Sequence, residues 1–291
     1  MGWQRTDDGV SAMTSGRKRM VVMGMAAAML AGCSGDAFKK DRPVETYTAE
    51  EIYKQAEYKL ETKRKSKEAP QLFGEVERLY PYSEWAKRAL IMQAFAYHKN
   101  KDYENSRAAA QRFIDFYPAD EDAAYAQYLL AISYYDQIDD VGRDQGLTFQ
   151  ALQALRTVIE RYPDSEYARS AILKFDLAFD HLAAKEMEIG RYYLKRGHFS
   201  AAINRFRVVV EQFQTTSHTA EALHRLVESY LSLGLDSEAQ TAGAILGHNF
   251  KSTEWYRDSY KLLTGRGLSP KAKGNGWLAQ VYRQMIKGQW L

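Results

Sequence analysis

The chain has 291 residues, 45% of them apolar, with 6 prolines, 20 tyrosines and a single cysteine. That length suits one or two globular domains or one extended repeat array, and the apolar share is ordinary for a folded protein. A net charge of +3 is too small to signal a nucleic-acid partner, and none is expected.

The N-terminus reads as a targeting segment and not as fold. Arg17, Lys18 and Arg19 are followed by the apolar run Met20–Leu30, 11 residues long. A bilayer span needs about 20. Leu30-Ala31-Gly32-Cys33 then resembles the lipobox of bacterial lipoproteins, in which small residues suit the signal peptidase and the thiol takes the lipid. Residues 1–32 are therefore expected to be a lipoprotein signal peptide, with Met13 as the more ordinary start, and 33–46 a lipidated linker. Lipid on Cys33 (palmitate among its acyl chains) is the only attached group expected, with no cofactor and no metal. Ser34 stands where an Asp would favour inner-membrane retention, so the outer membrane is expected, facing the periplasm.

One junction then recurs five times. It reads Tyr80-Pro81-Tyr82-Ser83-Glu84, Tyr117-Pro118-Ala119-Asp120, Tyr162-Pro163-Asp164-Ser165-Glu166, Phe213-Gln214-Thr215-Thr216-Ser217 and Phe250-Lys251-Ser252-Thr253-Glu254. The second positions are spaced by 37, 45, 51 and 37 residues. An aromatic closes one helix, proline stops it, Ser or Asp caps the next, and Glu enters the first turn where the helix dipole favours it. Thr48-Ala49-Glu50-Glu51 is a capping box that opens the first helix.

Between junctions the pattern is helix, turn, helix, clearest where Gly190 and Tyr193 lead through Gly197 to Phe199, Ala202 and Phe206. This resembles the tetratricopeptide repeat of about 34 residues. The expectation is an all-α fold, a right-handed superhelix of five tetratricopeptide-type helical hairpins over 47–263, with a concave face that holds peptides or domains. In the third unit, Asp136–Thr148 lacks apolar periodicity and reads as an inserted loop, either functional or merely tolerated. Lys63-Arg64-Lys65-Ser66-Lys67 falls in the first hairpin's turn, either solvated or against lipid headgroups. The tail, 264–291, reads as a Gly/Lys-rich segment with a short amphipathic helix around Trp277, Leu278, Val281 and Tyr282. Membrane, partner and cap of the array are all open as its target.

No catalytic constellation stands out, and no enzyme is expected. His98, His181, His198, His218, His224 and His248 lack metal-motif spacing and are expected on the surface or in turns.

Particular strings then carry a closer likeness. These are Arg78-Leu79-Tyr80-Pro81-Tyr82-Ser83, Tyr97-His98-Lys99-Asn100, Arg112-Phe113-Ile114, Val141-Gly142-Arg143-Asp144 and Tyr192-Tyr193-Leu194-Lys195-Arg196-Gly197 with Asn204-Arg205. With the lipobox and the hairpin count, the chain resembles the BamD family, scaffold lipoproteins of the outer-membrane β-barrel assembly machinery. The resemblance implies partners: the POTRA domains of BamA, other Bam lipoproteins, and unfolded outer-membrane β-barrel proteins. It also implies roles. Arg205, with Asn204 and Arg196, would face BamA; Arg112, Tyr80 and Tyr82 would read a barrel protein's targeting segment. The alternative is a periplasmic tetratricopeptide adaptor in another envelope process, such as division or peptidoglycan coordination.

Overall fold

The computed structural model describes residues 43–273 and 276–287. Cys33, the signal peptide and the linker before Pro43 lie outside the described residues. The chain divides into a unit Met1–Thr46, described only at its 3-10 turn Val44–Thr46, and a unit from Tyr47 onward.

The second unit is all helix among the described residues. In order come α1 (Ala49–Glu61), α2 (Ala69–Leu79), α3 (Glu84–Lys99), α4 (Tyr103–Phe116), α5 (Ala123–Tyr135), α6 (Gly146–Arg161), α7 (Glu166–Lys195), α8 (Phe199–Gln212), α9 (Thr219–Ser232), α10 (Asp236–Asn249), α11 (Glu254–Thr264) and α12 (Trp277–Lys287). Consecutive helices pair as the five expected hairpins, α1–α2 through α9–α10. Each hairpin also packs on the next, α11 lies across α9 and α10, and α12 covers α10.

The five junctions share one backbone geometry. Tyr80, Tyr117, Tyr162, Phe213 and Phe250 each end a helix with φ between −134° and −122° and ψ between 32° and 55°. Each donates its N–H to the carbonyl four residues back, and its own carbonyl accepts the N–H three residues on. In four of the five a hydroxyl donates to that same carbonyl: Ser83 and Ser165 at 2.8 Å, Thr216 and Thr253 at 2.7 Å. Two carbonyl lone pairs are thus satisfied in a turn that would otherwise leave them orphaned. Where Gln214 and Lys251 replace proline, ψ of the aromatic falls from 53–55° to 38° and 32°, but the backbone hydrogen bonds of the turn are kept.

The capping box forms as expected, but only two of the five junction caps do, and α5, α7 and α9 have no side-chain cap. Thr48 and Glu51 form the capping box, with Glu51 N–H to Thr48 Oγ1 at 3.3 Å and Thr48 N–H to Glu51 Oε2 at 2.9 Å. Ser83 and Thr253 cap α3 and α11. Ser165 does not cap α7, although its hydroxyl donates to the Tyr162 carbonyl as Ser83 and Thr253 do to theirs.

Three hairpin turns also share a form. Lys101, Gly197 and Gly234 adopt φ of 62°, 75° and 72°, and the next N–H reaches back to the carbonyl of Tyr97, Tyr193 or Tyr230. This is the Schellman closure, which needs a left-handed residue and prefers glycine there. Lys101 alone supplies a side chain. Lys101→Gly is expected to stabilise the array by about 0.5–1 kcal/mol, the relieved strain exceeding the added chain entropy. A melting curve should move up by about 1–3 °C; a fall would show that the lysine side chain holds the turn.

The third hairpin departs from this form. Its loop is shorter than the sequence suggested, because Gly146–Thr148 belong to the first turn of α6. Asp140 and Asp144 carboxylates accept the N–H groups of Gly142 and Gly146, and Lys185 of α7 donates to the Gly142 carbonyl at 2.7 Å.

The 51-residue spacing has its cause in α7, which runs 30 residues. Ala171 and Phe175 pack with Leu155 and Val158 of the third hairpin. Ala178, Leu182, Ala183 and Met187 join the core of the fourth and fifth. A built Cβ on Gly190 would stand 2.4 Å from the Phe206 ring, so the α7–α8 contact is set by the missing side chain.

A half-buried charge network ties this end together. Glu221 accepts from Arg191 of α7 at 2.5 Å and 2.9 Å, and from Arg225 at 3.3 Å. Arg225 also donates to Glu228 at 2.8 Å and lies over the Trp255 ring of α11. His224 was expected at the surface. It is buried instead, with Nδ1 2.8 Å from the Ser259 hydroxyl of α11.

After α11 the chain lies bonded along α10. Lys271 N–H reaches the Gln240 carbonyl, the Gln240 amide reaches the Ser269 carbonyl, and Lys273 N–H reaches Thr241 Oγ1. Leu278 and Val281 of α12 enter the same core. Trp277 donates to the Tyr230 hydroxyl at 3.2 Å and carries the Arg207 guanidinium over its ring. Of the three targets left open for this helix, this packing is that of a cap.

Candidate interaction surfaces

The residues expected to read a targeting segment fall at one end of the first two hairpins. Tyr82 follows the first junction and is fully exposed. Tyr80 is not free: its hydroxyl donates to the Tyr47 carbonyl at 2.6 Å, which pins the segment before α1 onto the junction. Arg112 of α4 pairs with Glu77 in the last turn of α2, its side chain 45% exposed. The guanidinium is therefore a cross-hairpin clamp whose remaining N–H groups face solvent. An incoming carboxylate would have to share it with Glu77 or displace Glu77.

A cavity of about 320 Å³ lies at the other end of these hairpins, between the turns of hairpins one and two. Lys67, Pro70, Gln71, Tyr97, Asn100 and Asp102 line it. Asn100 donates to the Ser66 carbonyl and Lys99 to the Leu60 carbonyl, which fixes the two turns against each other. Burial, and then the Asp102 charge, push the Tyr97 phenol up, so it stays a neutral donor. Nothing in the sequence marked this cavity except the Tyr97–Asn100 string itself.

The residues expected to face BamA lie on the fourth hairpin. Arg205 of α8 is 3.1 Å from Glu186 of α7, its side chain 42% exposed. Asn204 beside it is exposed. Arg196 caps α7 and stacks its guanidinium 4.2 Å from the Tyr192 ring centroid, an arrangement that holds a cation rigid at the surface. A shallow hollow of about 530 Å³ opens next to it, lined by Tyr193, Gly197, His198, Phe199 and Leu233. Leu233 and Leu235 are 42% and 41% exposed at the fifth hairpin's turn. These two leucines complete an apolar and cationic edge that the sequence reading missed, because their partners lie one hairpin away.

Among the described residues no group of three or more His, Cys, Asp or Glu gathers where a metal would sit. No described helix is long and apolar enough to cross a membrane.

Known proteins bear on this arrangement. The family model described as YfiO, outer membrane lipoprotein, matches residues 45–245, which takes in hairpins one to four and most of the fifth. The outer membrane protein assembly factor BamD of Caulobacter vibrioides is 49% identical over 246 residues, covering 84% of this chain and 80% of that one. The protein of the same name from Rickettsia prowazekii is 41% identical, covering 84% of this chain and 94% of its own. Among solved structures, PilW, a type IV pilus biogenesis factor, superimposes with a TM-score of 0.33 at 13% identity over 72% of this chain and 97% of its own, too loosely to carry an argument. With its junctions, turns and hairpins inside the matched span, the chain belongs to the YfiO outer membrane lipoprotein family, in which its BamD relatives stand.

Proposed function

We propose that this chain is a non-enzymatic scaffold of outer-membrane protein assembly, held by lipid on Cys33 at the periplasmic face of the outer membrane. The fourth hairpin, through Arg205, Asn204 and Arg196, docks a POTRA domain of BamA. The first two hairpins, through Tyr82 and Arg112, engage segments of unfolded β-barrel proteins, and other Bam lipoproteins complete the complex. The mechanism is display: one array holds two polypeptides in fixed relation, and no bond is made or broken. The observation that carries this reading is 49% identity to an assembly factor along 84% of the chain. The exposed guanidiniums at hairpin edges supply the chemistry, since Arg in a fixed fork recognises carboxylates with geometric specificity.

Arg205→Glu tests the partner surface. The change puts a second acid beside Glu186 at an exposed position, so the helical circular dichroism should stay intact. Co-purification with BamA should fall by about tenfold, the usual scale for an interface arginine. Unchanged co-purification removes Arg205 from the interface.

Cys33→Ser tests the anchor. The variant should leave the membrane fraction and lose palmitate labelling, because stable attachment rests on the acyl chains. Retention in the membrane with labelling lost would move the anchoring to the polypeptide itself.

A further inference from the structure

A third cavity, of about 650 Å³, lies between α6, α7 and the end of α8. Its floor is aromatic. Phe179 and Phe213 meet at 4.8 Å between ring centroids, and Phe175 stacks on Phe179 at 5.8 Å. Phe149 of α6 stands at its rim, 60% exposed. A single exposed phenylalanine is unremarkable on a protein surface, but one that overhangs an aromatic-floored cleft marks a place where apolar area is kept available.

The polar groups around the cleft are also unspent. Arg156 lies over the Phe175 ring at 5.6 Å. Unlike Arg112, Arg191, Arg205, Arg207 and Arg225, it has no carboxylate within 4.0 Å among the described residues, Glu160 on its own helix included. Gln153 on the α6 wall and Gln212 on the α8 wall line the same cleft. Neither side-chain amide has a hydrogen-bond partner among the described residues, whereas Gln93, Gln137 and Gln240 all do.

We propose that this cleft is a binding groove for an extended internal segment of a partner polypeptide that carries an aromatic side chain and, close by, an Asp or Glu. The aromatic ring enters between Phe149 and the Phe179–Phe213 floor, where offset and edge-on contacts favour it. The acid takes the open face of Arg156 as a bidentate pair. Two free amides on opposite walls suit a main chain passing between them, each able to offer one donor and one acceptor to the backbone. That is why an internal segment fits better than a chain end. The groove is separate from the Arg205 surface, so its fate does not decide the assembly reading.

The test is fluorescence anisotropy on the full-length chain in detergent. The probe is an end-blocked, fluorescein-labelled nine-residue Gly/Ser peptide with one Phe and one Asp two positions apart. Saturable binding is expected. Arg156→Glu and Phe149→Ser, both at exposed positions that leave the core intact, should each weaken it by about tenfold or more. Arg161→Glu, on the same helix outside the cleft, should change it less than about twofold. Replacing the peptide's Asp by Lys should restore binding to Arg156→Glu. The proposal is overturned if the probe binds no better than a version with Asn and Ser in place of Asp and Phe, or if Arg161→Glu does as much as Arg156→Glu. Binding that appears only after deletion of residues 34–42 also overturns it, by assigning the groove to the chain's own N-terminal segment.

Discussion

Phe206→Ala should cost the array about 3–5 kcal/mol, the scale for emptying a fully buried phenylalanine site. Phe206 is 0% exposed and sits in the core that joins the fourth and fifth hairpins. The more telling variant is its neighbour. Gly190→Ala exchanges the poorest ordinary helix former for the best, a gain of about 1 kcal/mol in a free helix. Here it should destabilise instead, by about 1–3 kcal/mol net, because the new methyl would meet the Phe206 ring at 2.4 Å and ring atoms cannot yield cheaply in a close-packed interior. Adding Phe206→Leu to Gly190→Ala should recover part of the loss, so the two effects are not additive. Stability in a hairpin array is a sum of local and nearest-neighbour terms. Amide hydrogen exchange should therefore show the loss in α7 to α10 and leave α1 to α4 protected. Full additivity of the pair, or a uniform loss along the chain, would mean that the ring contact does not set this interface.

Glu221→Ala is the second large effect. Burial alone would push this carboxyl up, but the hydrogen bonds and charges of Arg191 and Arg225 outweigh it and hold it below the ordinary glutamate value of 4.5. Glu221 is 12% exposed, Arg191 37% and Arg225 26%. Breaking a fully buried pair costs about 3–5 kcal/mol; with both guanidiniums still touching water, about 2–3 kcal/mol is expected here. Arg191 loses the one carboxylate it pairs with among the described residues, whereas Arg225 keeps Glu228. The sign with pH follows from the direction of the shift. A carboxyl held low in the fold stabilises fully above its unfolded value, and that stabilisation drains as pH falls through the folded one. Glu228 is held low as well: its burial would raise it, and His224 and Arg225 overcome that. The gap between the native chain and Glu221→Ala should accordingly be constant near neutrality and close below about pH 4.5. A gap that widens in acid would mean that the glutamate is protonated in the native state.

The hairpin count was legible because each junction combines an aromatic with a hydroxyl or acid three residues on, and three of the five add a proline stop. Each signal acts within a few residues, so Tyr80–Ser83 or Phe250–Thr253 can be read without knowing the rest of the fold. The 51-residue spacing announced an anomaly but not its form, since a longer helix and a longer loop leave the same gap between landmarks. The left-handed turn at Lys101 carried no glycine and went unseen until its backbone was in view. His224 looked like a surface residue because its partner, Ser259, is two helices away and belongs to no motif.

The interaction surfaces were legible only where a family string named the residues. Arg205 and Arg112 could be singled out, but their pairing with Glu186 and Glu77 could not, because those acids lie 19 and 35 residues earlier. Phe149, Arg156, Phe179 and Phe213 come from three different helices, and no spacing links them. Grooves of this kind are made by the angle between helices, which sequence periodicity does not record.

The single rod of α7 has a mechanical consequence. Thirty residues of unbroken helix make a strut of about 45 Å, seated in the third hairpin at one end and in the fourth and fifth at the other. A pull on the fourth hairpin is thus delivered to the third without a compliant link between them. Whatever this chain grips at one end of α7, it steers as a lever arm would, and the give in the device must come from the short junctions on either side.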